Sequence, residues 1–370
     1  MWAFLRQYTR SVIAFMLFAM NAFAVGCQFE AATLPAPTDH EVLVYSSAND
    51  HYILTDLQGN QTDITQALGT SDVDISDTFR DPAIWSPSGK YIVFRCRFQK
   101  EGPWMLCIED VGKITLKTLP LPQGGATDEF TWSIDEKSLL FVWSNYPRLP
   151  GIMQIDLATG QQSLLSQLLA NAYLVQGNVS WSPDRTRIAF ITSPPTQTWQ
   201  RDYWWRDQDL YVQNLDGSTR ELIFKDAGGN ITWSPDGKEI AFNRDSICWI
   251  VLEERRTNCI SEQSGELAWS PDGQSIVFVT KDDIDVVDVH SQRVRTIFHH
   301  SGEGGIWDLT WSPDGKYLAY TVCCCMRPNK SCEIYFISSD GSKHWQLTKN
   351  QVPDEHPVWQ PIVTVSTPTQ

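Results

Sequence analysis

The segment "TWSPDGKYLAYT", Thr310–Thr321, decides the fold, because the 370-residue chain contains it again and again. Variants such as "TWSPDGKEIAFN" from Thr232 and "AWSPDGQSIVFV" from Ala268 share the tryptophan, the turn residues and the apolar run. Counting a truncated copy, "VWQP" from Val358, the tryptophans that mark the repeats are Trp85, Trp132, Trp181, Trp233, Trp269, Trp311 and Trp359. They lie 36 to 52 residues apart, and repeats of this length without a helical pattern are typical of propellers with four-stranded blades.

Each repeat predicts one blade. The tryptophan lies in a first strand, and "SPDG" forms the turn that follows, in which proline presets one backbone angle, aspartate bonds local amides and glycine accepts a positive φ. The apolar run after the turn predicts a second strand that neighbouring blades cover on both faces. A third strand such as "EIYFISSDG", from Glu333, and a polar fourth strand ending in "WQLT", from Trp345, complete the blade.

The two ends of the repeat region predict how the ring closes. The segments "EVLVYSS", "HYILTDLQG" and "QTDIT", which begin at Glu41, His51 and Gln61, are strands two to four of a blade without a first strand. The segment "HPVWQP", from His356, is a first strand without the other three. Joined together they make a seventh blade, whereas six blades result if these segments form no blade of their own. We therefore expect an all-β propeller of seven blades over residues 41–361, followed by a tail over 362–370.

These repeats resemble the Trp-Ser-Pro-Asp-Gly repeats of TolB-type propellers, which also occur in the propellers of prolyl oligopeptidases and tricorn-like proteases. The resemblance covers residues 41–361 and implies a β-propeller fold, but it is weak for function. TolB is a soluble periplasmic protein that binds a peptidoglycan-associated lipoprotein and carries a separate N-terminal domain. Here only about a dozen residues separate Cys27 from the first strand. We therefore expect a TolB-like propeller and not TolB itself.

The N-terminal segment predicts export. Residues 1–26 contain two arginines, then an apolar stretch shorter than the ~20 residues of a spanning helix, and end in small residues, as signal peptides do. One interpretation is ordinary cleavage after "AFA", which gives a secreted soluble protein. The other is cleavage within "AVGC", which resembles the lipobox of bacterial lipoproteins and makes Cys27 the acylated first residue. Residues 27–40 are then a tether that holds the propeller at a membrane.

The nine cysteines predict disulfides in an oxidising compartment. Eight lie in the propeller and can pair, which leaves Cys27 for lipidation. Two hairpins bring cysteines together on facing strands: Cys96 with Cys107, and Cys248 with Cys259. A third hairpin, "CCCMRPNKSC", ends at Cys332, and strand alternation places either Cys323 or Cys325 on its side. The alternative for this cluster is a thiolate site for copper or zinc.

Charge and missing motifs exclude several functions. With a formal net charge of −15, the chain is repelled by phosphate backbones, so nucleic acid is not expected as a partner. The sequence has no G-x-S-x-G, H-E-x-x-H or G-x-x-x-x-G-K-[ST] motif, which argues against a serine hydrolase, a zinc peptidase and a nucleotide-binding P-loop. A monomeric domain without enzymatic activity is expected.

One face of the propeller is expected to carry the binding residues. The "SPDG" turns are short and alike, whereas the loops between second and third strands emerge on the opposite face and vary in length and composition. The longest, "TSPPTQTWQRDYWWRDQ" from Thr192, is rich in the aromatic and arginine side chains that dominate interface hot spots. With neighbouring loops, the candidate binding residues are Trp104, Arg148, Trp199, Arg201, Tyr203, Trp204, Trp205, Arg206 and Arg327. The alternative is that some of them only cover a blade edge.

Polar residues just before the first strands predict an electronegative channel mouth. They are Asp81, Asp128, Glu129, Asn178, Asn230, Glu266, Asp308 and Glu355. Converging carboxylates bind calcium or dock a cationic segment, because oxygen-rich sites suit hard cations and a cleft of one sign focuses charge. The alternative is an acidic, water-filled channel without a ligand. No other cofactor is expected.

Three functions follow from these features. The first is an exported, lipid-anchored, non-enzymatic module that binds a protein or glycan of the cell envelope, in the periplasm or at the cell surface. The second is a carbohydrate-active enzyme whose acid and base carboxylates come from different blades, such as Asp128 with Asp308. The third is a sensor of a small ligand or metal that uses the acidic ring or the cysteine cluster.

Overall fold

The computed structural model describes most of the propeller. The described residues are 42–47, 51–64, 82–97, 102–113, 115–122, 126–144, 150–168, 173–193, 208–243, 246–260, 265–280, 283–301, 304–324, 331–350 and 352–362. The predicted signal peptide, the predicted lipidation site Cys27 and the predicted tether lie outside them. Within these ranges no helix has the length and apolar character needed to cross a membrane.

The described residues form seven antiparallel sheets of four strands, which are the blades. Blade 1 contains β28 (Asp354–Trp359), β1 (Val42–Ser47), β2 (His51–Asp56) and β3 (Gln61–Asp63). Blade 2 contains β4 (Ile84–Trp85), β5 (Tyr91–Cys96), β6 (Met105–Asp110) and β7 (Thr115–Pro120). Blade 3 contains β8 (Ala126–Trp132), β9 (Ser138–Ser144), β10 (Gly151–Asp156) and β11 (Gln162–Gln167).

The remaining four blades follow in chain order. Blade 4 contains β12 (Tyr173–Trp181), β13 (Arg187–Ser193), β14 (Asp209–Asn214) and β15 (Arg220–Phe224). Blade 5 contains β16 (Ile231–Trp233), β17 (Glu239–Asn243), β18 (Ile247–Val251) and β19 (Arg256–Ile260). Blade 6 contains β20 (Leu267–Trp269), β21 (Ser275–Val279), β22 (Asp283–Asp288) and β23 (Val294–His299). Blade 7 contains β24 (Gly305–Trp311), β25 (Tyr317–Cys324), β26 (Ser331–Ser338) and β27 (His344–Gln346).

Both ends of the repeat region build blade 1. β28 pairs with β1 in antiparallel register, with Leu43 opposite Trp359 and Val44 opposite Val358. The first strand of this blade therefore comes from the end of the propeller sequence and the other three from its beginning. The prediction of a seven-bladed, all-β propeller closed in this way is confirmed, and the alternative of six blades is wrong.

The core lies between blades. In blade 6, Ile276 and Phe278 of the second strand are fully buried, whereas Val294 of the outer strand is 41% exposed. Val286 of blade 6 belongs to one apolar cluster with Leu318 of blade 7, so the two sheets pack face to face. Second strands are apolar at nearly every position because a neighbouring blade covers each of their faces.

The tryptophans of the repeat connect each blade to the next. For six of them the indole N–H donates to the carbonyl of the residue just before the tryptophan of the neighbouring blade, at 3.1 to 3.4 Å. These bonds run from Trp85 to Val358, Trp132 to Ile84, Trp233 to Ser180, Trp269 to Thr232, Trp311 to Ala268 and Trp359 to Thr310. The repeat therefore specifies the contact between blades as well as the blade itself.

The serine and aspartate of the repeat close the turn between first and second strands. In blade 7, Ser312 Oγ donates to Asp314 Oδ1 at 2.7 Å, and the same oxygen accepts the Lys316 amide at 2.9 Å. Gly315 has a φ of +72°, the left-handed conformation that the turn requires. Equivalent serine–aspartate bonds join Ser182 to Asp184, Ser234 to Asp236, and Ser270 to Asp272. As predicted, each aspartate caps its own turn.

Three disulfides join facing strands, as the sequence predicts for an oxidising compartment. They are Cys96–Cys107, Cys248–Cys259 and Cys323–Cys332. In the third hairpin Cys323 lies directly opposite Cys332, so the register selects Cys323 and the alternative pairing of Cys332 with Cys325 is corrected. Cys325 itself lies outside the described residues. Disulfides of this kind are typical of proteins outside the cytoplasm.

Candidate binding face at the channel mouth

The first strands lie innermost, and their starting ends share one face of the propeller. β16, β20, β24 and β28 contact one another in ring order. In blade 7, Gly305 at the start of β24 pairs with Cys323 near the end of β25, whereas Trp311 leads into the "SPDG" turn. We call the end at which first strands begin the loop face, and the end that carries the "SPDG" turns the turn face.

Side chains three positions before the repeat tryptophans connect neighbouring blades near the loop face. We call Asn230, Glu266, Asp308 and His356 the channel-mouth residues. The bonds run from Asn230 Nδ2 to the Gly265 carbonyl (2.9 Å), from the Leu309 amide to Glu266 Oε2 (2.9 Å), and from the His356 amide and Nδ1 to Asp308 (3.1 and 2.9 Å). These polar contacts link blades 5, 6, 7 and 1 in sequence.

Two β-bulges hold Asp308 and His356. In blade 7 the pairing register shifts between Trp307 and Thr310, and in blade 1 it shifts in β28 opposite Tyr45. Asp308 and His356 have φ values of 55° and 57°, in the left-handed region that few residues other than glycine adopt. A bulge turns a side chain away from the regular alternation of a strand. The two residues therefore face each other across the junction between blades.

The pKa values of the two neighbouring carboxyl groups move in opposite directions. Burial raises the pKa of Glu266, and repulsion from Asp308 raises it further. Burial also acts to raise the pKa of Asp308, but hydrogen bonds from His356 and its charge outweigh burial, so the pKa falls below its usual value. At neutral pH Asp308 is thus firmly ionised, while Glu266 accepts a proton more readily than an ordinary glutamate.

Trp307 is an exposed aromatic side chain beside these residues. It precedes Asp308 in β24 and is 51% exposed. Gly305 makes room for the indole, since a Cβ at that position would lie 2.9 Å from Trp307 Nε1. An exposed indole next to a carboxylate can stack on a sugar ring or on a cationic group. The sequence analysis does not single out Trp307, because it lies outside both the repeat motif, which begins at Thr310, and the variable loops.

Trp104 is the one predicted aromatic binding residue that the described ranges include. Its ring lies under two guanidinium groups, with the Arg97 Cζ 4.7 Å and the Arg95 Cζ 5.2 Å from the ring centroid. Arg97 is only 8% exposed, and Trp104 packs against the apolar cluster between blades 2 and 3. Trp104 therefore has a packing role in addition to any contact with a ligand.

Glu355 contacts the disulfide between Cys323 and Cys332. It is 6% exposed, and its Oε1 is 2.9 Å from Cys332 Sγ and 3.5 Å from Cys323 Sγ. The position that corresponds to Asp308 is occupied by His356, which stands three residues before Trp359 just as Asp308 stands three residues before Trp311. The role of Glu355 at the channel mouth stays a prediction, and this constant spacing was the signal that could have found His356.

Most other predicted site residues lie outside the described part of the chain. These are Asp81, Arg148, Trp199, Arg201, Tyr203, Trp204, Trp205, Arg206 and Arg327. For Asp128 and Glu129 in β8 and Asn178 in β12, the described part covers the strand but not the side chain. Their roles at the binding face and the channel mouth stay predictions.

Among the described residues, one group of three has the ligand types and spacing to hold a metal ion: Cys323, Cys332 and Glu355. Its two sulfur atoms are joined in a disulfide. The carboxylates of the channel mouth that the structure describes do not form such a group. Calcium at the channel mouth stays a prediction.

Comparison with known proteins supports the fold. The family model "WD domain, G-beta repeat" (WD40) matches residues 291–342, a small part of the chain. No curated protein matches the sequence. The prediction of a TolB-like, WD40-like propeller is confirmed at the level of the fold.

Solved structures of several activities share this architecture. An oligogalacturonate lyase in complex with manganese is 16% identical, with a TM-score of 0.58 over 87% of this chain and 86% of that one. A puromycin hydrolase is 12% identical, with a TM-score of 0.62 over 85% of this chain and 53% of that one. TolB from Acinetobacter baumannii is 18% identical, with a TM-score of 0.49 over 90% of this chain and 89% of that one. At these identities the likeness to the lyase and the hydrolase shows the fold alone, and the likeness to TolB, at its TM-score, supports no inference.

Proposed function

We propose that this chain is an exported, lipid-anchored propeller that binds a protein or glycan of the cell envelope without acting on it. The observation that carries the proposal is the contrast between its two faces. On the turn face, serine and aspartate side chains bond within their own turns. On the loop face, Trp307 is half exposed beside the ionised Asp308. A surface with an aromatic side chain beside a fixed charge is suited to recognition.

The channel-mouth residues give the loop face its negative charge and are themselves held in fixed positions. Each of Asn230, Glu266 and Asp308 bonds to the next blade, so their positions are fixed before any ligand arrives. A pre-organised site loses less side-chain entropy on binding than a flexible one. The carboxylates favour a ligand that presents cationic or hydroxyl groups, which both a basic protein segment and a glycan provide.

The first experiment is capture of partners from solubilised envelopes of the source organism with the mature chain and two variants. Trp307→Ala removes an apolar side chain from the loop face, and Ile134→Ala removes one from the turn face, where Ile134 is 57% exposed. We expect one partner to be retained by the wild type and by Ile134→Ala, and to fall at least about tenfold with Trp307→Ala. The triple variant Trp204→Ala, Trp205→Ala, Arg206→Ala is expected to lose the same partner.

Two results would contradict this proposal. If Ile134→Ala loses the partner as strongly as Trp307→Ala, the loop face is not the recognition surface. If wild type and both single variants retain the same set of proteins and glycans, the exposed indole plays no part in binding. Thermal melting of each variant shows whether a loss of capture follows from a loss of folding.

A second candidate function is action on a carbohydrate. The opposite pKa shifts of Glu266 and Asp308 favour it. A raised pKa at Glu266 and a lowered one at Asp308 are the proton affinities that a general acid and an ionised partner need. Incubation with envelope glycans would reveal cleavage by mass spectrometry. Turnover that is abolished by Glu266→Gln, with glycan capture unchanged, would replace the binding module with an enzyme.

A further inference from the structure

The buried carboxylate of Glu355 contacts one of the three disulfides. Cys323 of β25 and Cys332 of β26 face each other with a Cα–Cα distance of 4.1 Å, and Glu355 reaches them from β28 of the next blade. Glu355 Oε1 lies 2.9 Å from one sulfur and 3.5 Å from the other. All three residues are less than about a tenth exposed, so water screens this contact weakly.

This contact suits the reduced cysteines better than the disulfide. A disulfide sulfur carries no hydrogen, so it cannot donate to a carboxylate, and both atoms present lone pairs to each other. A thiol can donate its S–H to the same oxygen, and a metal ion can bind all three groups at once. The position of Glu355 thus favours a state of the hairpin other than the oxidised one.

We propose that Cys323, Cys332 and Glu355 form a binding site for a thiophilic divalent cation such as Zn²⁺ when the disulfide is reduced. The three ligand atoms already lie within 4.8 Å of one another, and two thiolates with one carboxylate are a ligand set that zinc accepts. A divalent cation offsets two of the three negative charges that these ligands bring into a buried site. Three protein ligands leave one tetrahedral position for water or a further donor.

A dithiol reduces the Cys323–Cys332 disulfide by thiol–disulfide exchange. A thiolate of a dithiol reductant attacks one sulfur, the Cys323–Cys332 bond breaks, and a mixed disulfide forms with the attacked cysteine. The second thiol of the reductant then attacks the mixed disulfide, so the reductant leaves as its own disulfide and two electrons and two protons remain on the cysteines. Zn²⁺ displaces those two protons when it binds.

The chain contains its own comparison site. Cys248 and Cys259 also face each other directly with a Cα–Cα distance of 4.1 Å. Within the described ranges, no carboxylate or histidine completes a group of three around that pair. After reduction both hairpins offer two thiols, so a difference in metal binding between them measures what Glu355 adds.

The test uses the full chain with Cys27, Cys324 and Cys325 replaced by serine, so that thiols outside the three pairs do not contribute. The protein is reduced with dithiothreitol, freed of it by anaerobic gel filtration, and titrated with Cd²⁺ while thiolate-to-cadmium ultraviolet absorption is recorded. We expect one Cd²⁺ equivalent that is absent from the oxidised protein and from Cys323→Ser/Cys332→Ser, which retains the Cys248–Cys259 pair. We expect Glu355→Gln, which keeps the side-chain shape, to weaken the affinity at least about tenfold.

Three outcomes would overturn the proposal. They are an unchanged cadmium signal in Cys323→Ser/Cys332→Ser, an unchanged affinity in Glu355→Gln, and unfolding of the propeller on reduction, seen as loss of the near-ultraviolet circular dichroism. If the double serine variant does not fold, the cadmium affinities of Glu355→Gln and the wild type still test the proposal. The proposal does not rest on the proposed function, and partner capture and cadmium binding are measured with different variants, so they can succeed or fail separately.

Discussion

His356 donates two hydrogen bonds to Asp308, from its amide at 3.1 Å and from Nδ1 at 2.9 Å. The pair joins blade 7 to blade 1, the blade in which both ends of the repeat region meet. Ring closure therefore depends on a polar contact at the channel mouth as well as on the pairing of β28 with β1. The same aspartate contributes the fixed negative charge of the proposed binding face.

Replacement of Asp308 by asparagine should destabilise the propeller. The substitution removes the charge that His356 contacts and leaves one buried donor without its acceptor, which costs about 1–3 kcal/mol. Urea denaturation at pH 7 measures the change. Because the pKa of Asp308 is lowered in the folded state, its contribution is present above its ordinary pKa of ~3.9 and is lost as the pH falls through the lower folded value.

Glu254→Gln is the control for this prediction. Glu254 forms an ion pair with Arg256 in which both side chains are more than half exposed, and such a pair contributes about 0–1 kcal/mol. Equal effects of Asp308→Asn and Glu254→Gln would show that the contact between the two blades adds nothing to stability.

The sequence predicts the blades better than it predicts the channel mouth. The tryptophan and the "SPDG" turn are local signals, and they place each first strand correctly. The prediction for the ring names Glu355 and not His356, although a bulge opposite Tyr45 inserts one residue into β28. Strand alternation alone does not reveal such an insertion.

The third disulfide shows a similar limit. Strand alternation predicts the same side for Cys323 and Cys325, so the choice between them as partner of Cys332 depends on the register of the hairpin. The register places Cys323 opposite Cys332, and alternation along the strand does not specify that register. Trp307 is not predicted for another reason, since it belongs neither to the repeat motif nor to a variable loop.

Acidification should weaken blade 7 through His344. Burial, with a smaller repulsion from His300, lowers the pKa of His344 to about 4, and its Nε2 accepts a hydrogen bond from the Tyr320 hydroxyl at 2.6 Å. The folded state thus holds this histidine neutral. The stability it confers is present above its ordinary pKa of ~6.5 and is lost as the pH falls towards 4, by up to about 3 kcal/mol.

His344→Gln tests this pH dependence, because glutamine keeps an acceptor for Tyr320 but does not titrate. Guanidinium denaturation of both proteins at several pH values between 7 and 4 should show a difference that changes with pH. If the difference in unfolding free energy between the two proteins is the same at every pH, His344 titrates alike in the folded and unfolded states.

Glu109→Gln should stabilise the propeller at pH 8. Glu109 of β6 is fully buried, and neither carboxyl oxygen has a hydrogen-bond partner among the described residues. Burial, with repulsion from Asp63 in blade 1, raises its pKa to about 7. The stability linked to the bound proton is present below the ordinary pKa of ~4.3 and is lost as the pH rises through about 7.

The expected gain from Glu109→Gln at pH 8 is about 1–2 kcal/mol, since the amide avoids the cost of a buried charge. At pH 5, where the carboxyl is protonated, the variant and the wild type should be nearly equal. Glu221→Gln serves as the exposed control, with a side chain 60% exposed. A variant less stable than the wild type at pH 8 would indicate that the ionised carboxylate has a favourable partner.

Gly229→Ala should be the most damaging single substitution in blade 5. Gly229 has a φ of +66°, and a Cβ there would lie 1.9 Å from the Asn243 carbonyl oxygen and 2.3 Å from Asn243 Oδ1. Asn243 Oδ1 accepts the Asn230 amide at 2.7 Å, and Asn243 Nδ2 donates to the Gly265 carbonyl at 2.6 Å. The added methyl would therefore strain the backbone and displace the side chain that positions a channel-mouth residue. Strain and overpacking together cost about 2–5 kcal/mol.

Gly59→Ala is the matched control, because Gly59 also has a positive φ, +83°, but a Cβ there would meet no atom within 4 Å. It carries the backbone cost alone, about 1 kcal/mol. Urea denaturation of both variants measures the difference, and partner capture by Gly229→Ala at low temperature reports on the channel mouth. If the two variants are equally stable, the contact between Gly229 and Asn243 does not restrain blade 5. A Gly229→Ala protein that stays folded but captures its partner weakly would instead show that Asn243 and Asn230 transmit the strain directly to the binding face.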